Sequence, residues 1–300
     1  MKNAPLPSTS STSPPSSARV RSAGASTPAW LDAFLYPFVS REHATPDGVV
    51  RYVDEGRGRP ILLVHGTPSW SFEWRASIAA LAVEHRVIAP DHLGFGLSDK
   101  PPGAPYRPVD HARRLASLVE ALDLRDVTLV VHDFGGPIGL TWAAGASERV
   151  RDIVVLNSWA WSVADRRAAR ISRLVRSPLG RFLYLWLNAS PRWLVPASFG
   201  DKRRLTRAAH HHYLAPFGRR SERRAPWALG VALAGEAASF EALWSARGRW
   251  IDKLRAIVWG MRDPALRPDL LARWREAAPW ARVIELADVG HFRRRRRPRP

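Results

Sequence analysis

The run Val127-Thr128-Leu129-Val130-Val131, followed by His132-Asp133-Phe134-Gly135-Gly136, restricts the fold of this chain more than any other stretch. Its apolar half reads as a strand covered on both faces, as in the interior of a parallel sheet. Gly135, Gly136 and Gly139 then allow a helix to begin close against that strand. A sharp strand–turn–helix of this kind raises one side chain, here Asp133, above the end of the sheet. A carboxylate at that tip is a poor reagent toward esters and amides. It can instead displace a leaving group from a saturated carbon and become esterified to it.

The rest of the chain repeats the alternation. Short strands are predicted at Val49–Val53, Pro60–Val64, Arg86–Ala89, Asp152–Leu156, Ala256–Trp259 and Arg282–Leu286. Helical spacing runs over 109–123 through His111, Leu115, Leu118, Val119 and Leu122, and a second helix follows the elbow to about Ala146. This pattern predicts an α/β fold, a mostly parallel central sheet with helices on both faces. Residues 158–247 carry Trp, Arg and helical spacing but no convincing strand. They read as a helical cap inserted between two parts of the core, 29–157 and 248–292, and placed over the crevice where strands end. Residues 1–28 are rich in Ser, Pro, Thr and Ala and read as a disordered extension, and 293–300 as a basic tail.

The formal net charge is +19, but six arginines lie in 293–299 and a second group spans Lys202 to Arg224. Clusters of that kind are a tail and a surface rather than a basic face with groove-entering elements, so no specific nucleic-acid partner is expected. The absence of cysteine excludes disulfides and thiolate metal sites. No apolar run reaches the length of a membrane span, and a cytoplasmic setting is the expectation.

Three further points line up with Asp133. His65-Gly66-Thr67-Pro68 follows a strand, so the backbone N–H groups of Thr67 and Phe134 are candidates for an oxyanion hole. Asp263 lies just beyond the strand ending at Trp259, where a carboxylate can orient a histidine; Asp288 is a competitor for that role. His291 follows the last strand and is the candidate general base. Asn157 and Ser158, at the other strand end where an acid is feasible, are not acidic, which favours Asp263. His210, His211 and His212 are adjacent on a helical stretch and point in different directions, so no shared metal is expected.

With these residues in place, the segments His65–Arg75, Pro90–Pro101, Val131–Leu140 and Asn157–Trp161 resemble haloalkane dehalogenases, within the α/β hydrolases that also include epoxide hydrolases. The resemblance runs from about Trp30 to Phe292 and is weak over 165–245. It implies that Asp133 attacks the carbon bearing a halide and forms a covalent ester. His291, oriented by Asp263, then activates the water that hydrolyses it, with Thr67 and Phe134 holding the oxyanion. The substrate would be a small apolar organic molecule, with water as co-substrate and no cofactor.

The chain departs from the family pattern at the leaving-group donors. Dehalogenases commonly carry a tryptophan directly after the nucleophile and often an asparagine after His-Gly. Here those positions are Phe134, which has no N–H, and Thr67. Trp159, Trp161 and Trp142 are candidate replacements. An epoxide hydrolase with the same Asp-His-Asp triad is the alternative. That reading requires a cap tyrosine; the insertion holds Tyr184 and Tyr213, and Tyr213 is the candidate. Family members also continue past Gly-His-Phe into a helix, whereas this chain ends in Arg and Pro. That departure raises the further alternative of an inactive or truncated hydrolase-fold protein.

Overall fold

Eight strands form one sheet: β1 (Arg41–Thr45), β2 (Gly48–Glu55), β3 (Pro60–Val64), β4 (Arg86–Pro90), β5 (Val127–Asp133), β6 (Val150–Ser158), β7 (Leu254–Gly260) and β8 (Arg282–Leu286). The spatial order is β1-β2-β4-β3-β5-β6-β7-β8. β1 and β2 form an antiparallel edge, β2 also runs antiparallel to β4, and every later pairing is parallel. The structure is a computed structural model describing residues 27–163 and 166–292. The predicted 1–28 extension, apart from residues 27 and 28, and the 293–300 tail lie outside the described residues.

Side-chain alternation splits the core between the two faces of the sheet. On one face Leu62, Val64, Leu129, Val131, Ile153 and Val155 pack with Leu115 and Leu118 of α2 (Pro108–Ala121) and Ile138 of α3 (Gly135–Gly145). On the other, Ile61, Leu63, Val87 and Val258 pack with Ile78 of α1 (Arg75–Leu81) and with Trp70 and Phe72. β5 lies between β3 and β6, so its end is surrounded by neighbours that also end there.

Between β6 and β7 the described residues form helices only. These are α4 (Arg166–Arg176), α5 (Pro178–Leu185), α6 (Val195–Ser198), α7 (Arg207–Leu214), α8 (Arg224–Gly235) and α9 (Ala237–Ser245), with shorter turns between them. Ser177 and Thr206 start α5 and α7 by accepting the N–H groups of Gly180 and Ala209. The segment is tied back to the core where the Trp70 indole N–H donates to the carbonyl of His212 at 2.8 Å. One further helix, α10 (Pro268–Ala277), covers the β7–β8 connection. Among the described residues no helix is long and apolar enough to cross a membrane.

Candidate active site

Asp133 closes β5 in the left-handed region, at φ 49°, and Phe134 returns to helical φ at −59°. Few non-glycine residues adopt that conformation, and a short polar side chain tolerates it best. Helix α3 must then start directly beside β3. A Cβ on Gly135 would lie 2.1 Å from the carbonyl oxygen of Val64, so only glycine fits there. The Ser158 hydroxyl donates to the carbonyl of Asp133 at 2.5 Å and fastens the turn to β6.

The Asp133 carboxylate accepts the backbone N–H of Thr67 at 2.8 Å. Its other oxygen lies 3.7 Å from Nε2 of His291, with both side chains almost fully buried. Nδ1 of His291 is 2.7 Å from Oδ2 of Asp263. Asp263 is itself fixed: Oδ1 accepts the N–H groups of Ala265 and Leu266, and Oδ2 also accepts the Asn157 amide at 2.8 Å. The fold thus brings Asp133, Asp263 and His291 together from the ends of β5, β7 and β8. Asp288 is not part of this arrangement; it pairs with Arg262 at 2.9 Å on the surface.

These contacts set the charges. Burial pushes the Asp133 carboxyl up, against the opposing pull of His291 and His132. Burial also disfavours the His291 cation, but the Asp263 and Asp133 carboxylates outweigh it and bring the ring up to about 9. Asp263 is desolvated too, and its contact with His291 holds it below the usual carboxylate range. The raised His291 value stabilises the folded state fully below pH 6.5, its ordinary value, and that contribution is lost as pH rises through about 9. Thermal unfolding should therefore show a decline in stability over that interval, and a His291→Phe variant should lack this portion of it.

Gly66 gives a direct test of the crowding at Asp133. A Cβ there would fall 2.2 Å from Oδ2 of Asp133 and 2.4 Å from its Cβ. Gly66→Ala is expected to displace the carboxylate, cut turnover by about 100-fold and lower the melting temperature by several degrees, since overpacking typically costs about 1–3 kcal/mol. Steady-state rates and calorimetry on the same preparation check both parts.

The leaving-group candidates separate clearly. Trp159 sits edge-on to Phe134, ring centroids 4.9 Å apart, and its buried indole N–H finds no hydrogen-bond partner among the described residues. The buried hydroxyl of Thr67 is likewise without a partner among them. Trp161, expected as an equal candidate, packs edge-on against Trp244 and Trp274 instead. Tyr213 also differs from expectation. It packs on Phe72 and Phe292 in the core cluster on the α1 face, and burial raises its hydroxyl to about 12, with Arg75 and Glu73 as its charged neighbours. Tyr184 is the other cap tyrosine. Burial raises its hydroxyl to about 12, opposed by a hydrogen bond with Ser190, and the negative field of Asp133 reaches it. His210 and His212 turn to different carbonyls, those of Pro191 and Ala208.

Comparison with known proteins agrees with this geometry. A sequence profile of the family described as alpha/beta hydrolase fold matches residues 59–293. Haloalkane dehalogenase 2 of Mycobacterium tuberculosis is 36% identical over 268 residues, covering 87% of this chain and 91% of that protein. The chain is a haloalkane dehalogenase-like α/β hydrolase. A cis-3-alkyl-4-alkyloxetan-2-one decarboxylase of Shewanella oneidensis is 32% identical over 273 residues, 87% of this chain and 85% of that one. Among solved structures, the haloalkane dehalogenase DatA from Agrobacterium tumefaciens superposes with a TM-score of 0.76 at 25% identity, over 84% of this chain and 89% of that one.

The structure adds two residues to this hydrolase's site that the sequence did not assign to it. Asn157, at φ 28°, bridges β6 to β7 by accepting the N–H of Gly260 at 2.7 Å while its amide holds Asp263. Glu73, in the turn before α1, is buried against His132. An asparagine closing a strand, in a conformation it tolerates better than most, is the only hint of the first.

Proposed function

We propose that this hydrolase cleaves carbon–halogen bonds of haloalkanes through an aspartyl ester. Asp133 displaces halide from a saturated carbon, forming a carbon–oxygen bond as the carbon–halogen bond breaks. His291 then takes a proton from water, which adds to the ester carbonyl. The Thr67 and Phe134 N–H groups stabilise the developing oxyanion, a donor of that type contributing about 3–4 kcal/mol. The net change is haloalkane plus water to alcohol, halide and a proton, and the chemistry requires no cofactor.

The observation that carries this reading is the carboxylate at the elbow, lying between a backbone donor and a histidine already paired with a second carboxylate. Esterification removes the Asp133 charge, and with it part of what holds the proton on His291. Displacement therefore prepares the ring to act as a base. For the departing halide the candidates are the Trp159 indole, packed on Phe134, and the Thr67 hydroxyl, both buried donors without a partner among the described residues.

A second reading, opening of a strained carbon–oxygen ring by the same nucleophile, draws support from Phe134, which offers no side-chain N–H, and from the Tyr184–Ser190 hydroxyl pair. Purified protein supplied separately with a bromoalkane, an epoxide and a cis-dialkyl oxetan-2-one distinguishes these. Free bromide with alcohol supports dehalogenation. Diol from the epoxide, or alkene with carbon dioxide from the oxetanone, supports the second reading. No turnover of any of the three overturns both.

A further inference from the structure

The outside of the cap carries a run of exposed apolar side chains. Among the described residues eleven large hydrophobic side chains are exposed, and seven of them fall between Ile171 and Leu194. So dense a group is a patch, unlike the single exposed residues scattered over any surface. Ile171 and Leu174 stand three apart on α4, and Leu179, Phe182 and Trp186 follow at helical spacing along α5 and its C-terminal cap. Leu179 and Trp186 are 58% and 55% exposed, and Phe182 stacks on Trp186 with ring centroids 6.3 Å apart. Trp193 and Leu194 extend the series on the turn before α6.

The opposite faces of these helices are already engaged. Ser172, Val175 and Leu185 are buried, and the Trp227 indole N–H of α8 donates to the carbonyl of Val175 at 3.1 Å. A Cβ on Gly180 would lie 1.9 Å from the carbonyl oxygen of Leu174, so α5 starts directly against the end of α4. The two helices form a tight hairpin with one apolar stripe turned outward.

The charge on this face is of one sign. Arg170, Arg173, Arg176, Arg181 and Arg192 are exposed, and no Asp or Glu occurs anywhere in 166–200. On α4 the cations alternate with the apolar residues, Arg170 before Ile171 and Arg173 before Leu174, and the Arg220 guanidinium lies 3.9 Å over the Trp186 ring. Leu, Phe and Trp beside basic side chains suit a boundary between water and hydrocarbon: the apolar groups and arginine stems sink in, while the guanidinium groups stay among anionic head groups. We propose that the outer face of α4 and α5 docks this hydrolase reversibly on an anionic lipid surface. A second copy of the chain is a poorer occupant, because a two-fold contact would set the patch on itself, arginine against arginine. A nucleic acid would engage the arginines and leave Ile171, Leu174 and Leu179 in water.

Docking does not depend on which substrate Asp133 attacks. The full chain is mixed with vesicles of equal parts phosphatidylglycerol and phosphatidylcholine, or of phosphatidylcholine alone, and the bound fraction is read by co-sedimentation. It should bind the anionic vesicles at least about 10-fold more strongly. Leu179→Ser with Trp186→Ser should lower the partition coefficient about 10- to 100-fold at both low and high salt, because the transfer of two apolar side chains is lost. Arg173→Glu with Arg176→Glu should lower it by a similar factor at low salt and by less at high salt. All four side chains are exposed, so each variant should keep the parent's melting temperature. A chain lacking 293–300 should show the same dependence on both pairs, which separates the patch from the arginine tail. Binding left unchanged by the serine substitutions would come from charge alone and overturns the proposal. So does a failure to bind anionic vesicles, or a lipid-free dimer that the same serine substitutions dissociate, which would put a second copy on this face.

Discussion

Asp133→Asn is expected to reduce halide release from bromoalkanes by about 10,000-fold or more, with the circular dichroism of the parent protein retained. Asparagine keeps the side-chain size and tolerates the left-handed backbone at φ 49°, whereas alanine would add strain to the loss of chemistry. Its amide can still accept the Thr67 N–H but cannot displace halide. The same variant removes the negative charge 3.7 Å from His291, so its imidazole should titrate at lower pH than in the parent protein. Halide release by the variant at the parent rate would remove Asp133 from the mechanism.

The second large effect belongs to His291→Phe. The substitution leaves displacement intact and removes the base, so each molecule should turn over once and stop. Intact mass is expected to increase by one alkyl group, and hydrolysis of that ester should slow by about 100- to 10,000-fold. Halide release should then show a burst of one equivalent per site followed by a near-zero steady rate. The comparison with Asp133→Asn is informative because effects within one catalytic unit are not additive: the double variant should be no slower than Asp133→Asn alone. Full multiple turnover in His291→Phe would mean that water is activated elsewhere, and the Asp263–His291 contact at 2.7 Å would then need another explanation.

The core of the fold was legible because its signals are local. Apolar runs flanked by glycine locate β3, β5 and β7, and the glycines after Asp133 report a helix that starts against its neighbour. β1 carries no such signal. Arg41-Glu42-His43-Ala44-Thr45 is a polar edge strand, held by its register with β2 and by His43 bonding to Ser117. The order Asp133, Asp263, His291 was legible for the same reason, since each residue directly follows a recognisable strand. Residues whose orientation depends on distant packing were not legible. Tyr213 and Tyr184 are equivalent in sequence, but the first turns into the Phe72–Phe292 cluster and the second toward Ser190. Trp159 and Trp161 are two residues apart, yet one meets Phe134 and the other enters a tryptophan cluster. Glu73 and Asn157 act through partners more than fifty residues away, which no local spacing encodes.

The sheet order has a consequence in time. Asp133 ends β5, Asp263 and His291 follow β7 and β8, and β6 separates them. Before β7 and β8 dock on β6 across the cap insertion, the chain can hold most of its helices, six strands of its sheet and its elbow, yet have no His291 near Asp133. Contacts between residues so far apart in sequence form slowly, because a long loop must close before they bring any gain. During refolding, recovered halide release should therefore lag behind recovered secondary structure, and chemistry becomes a stricter gauge of a finished molecule than its shape.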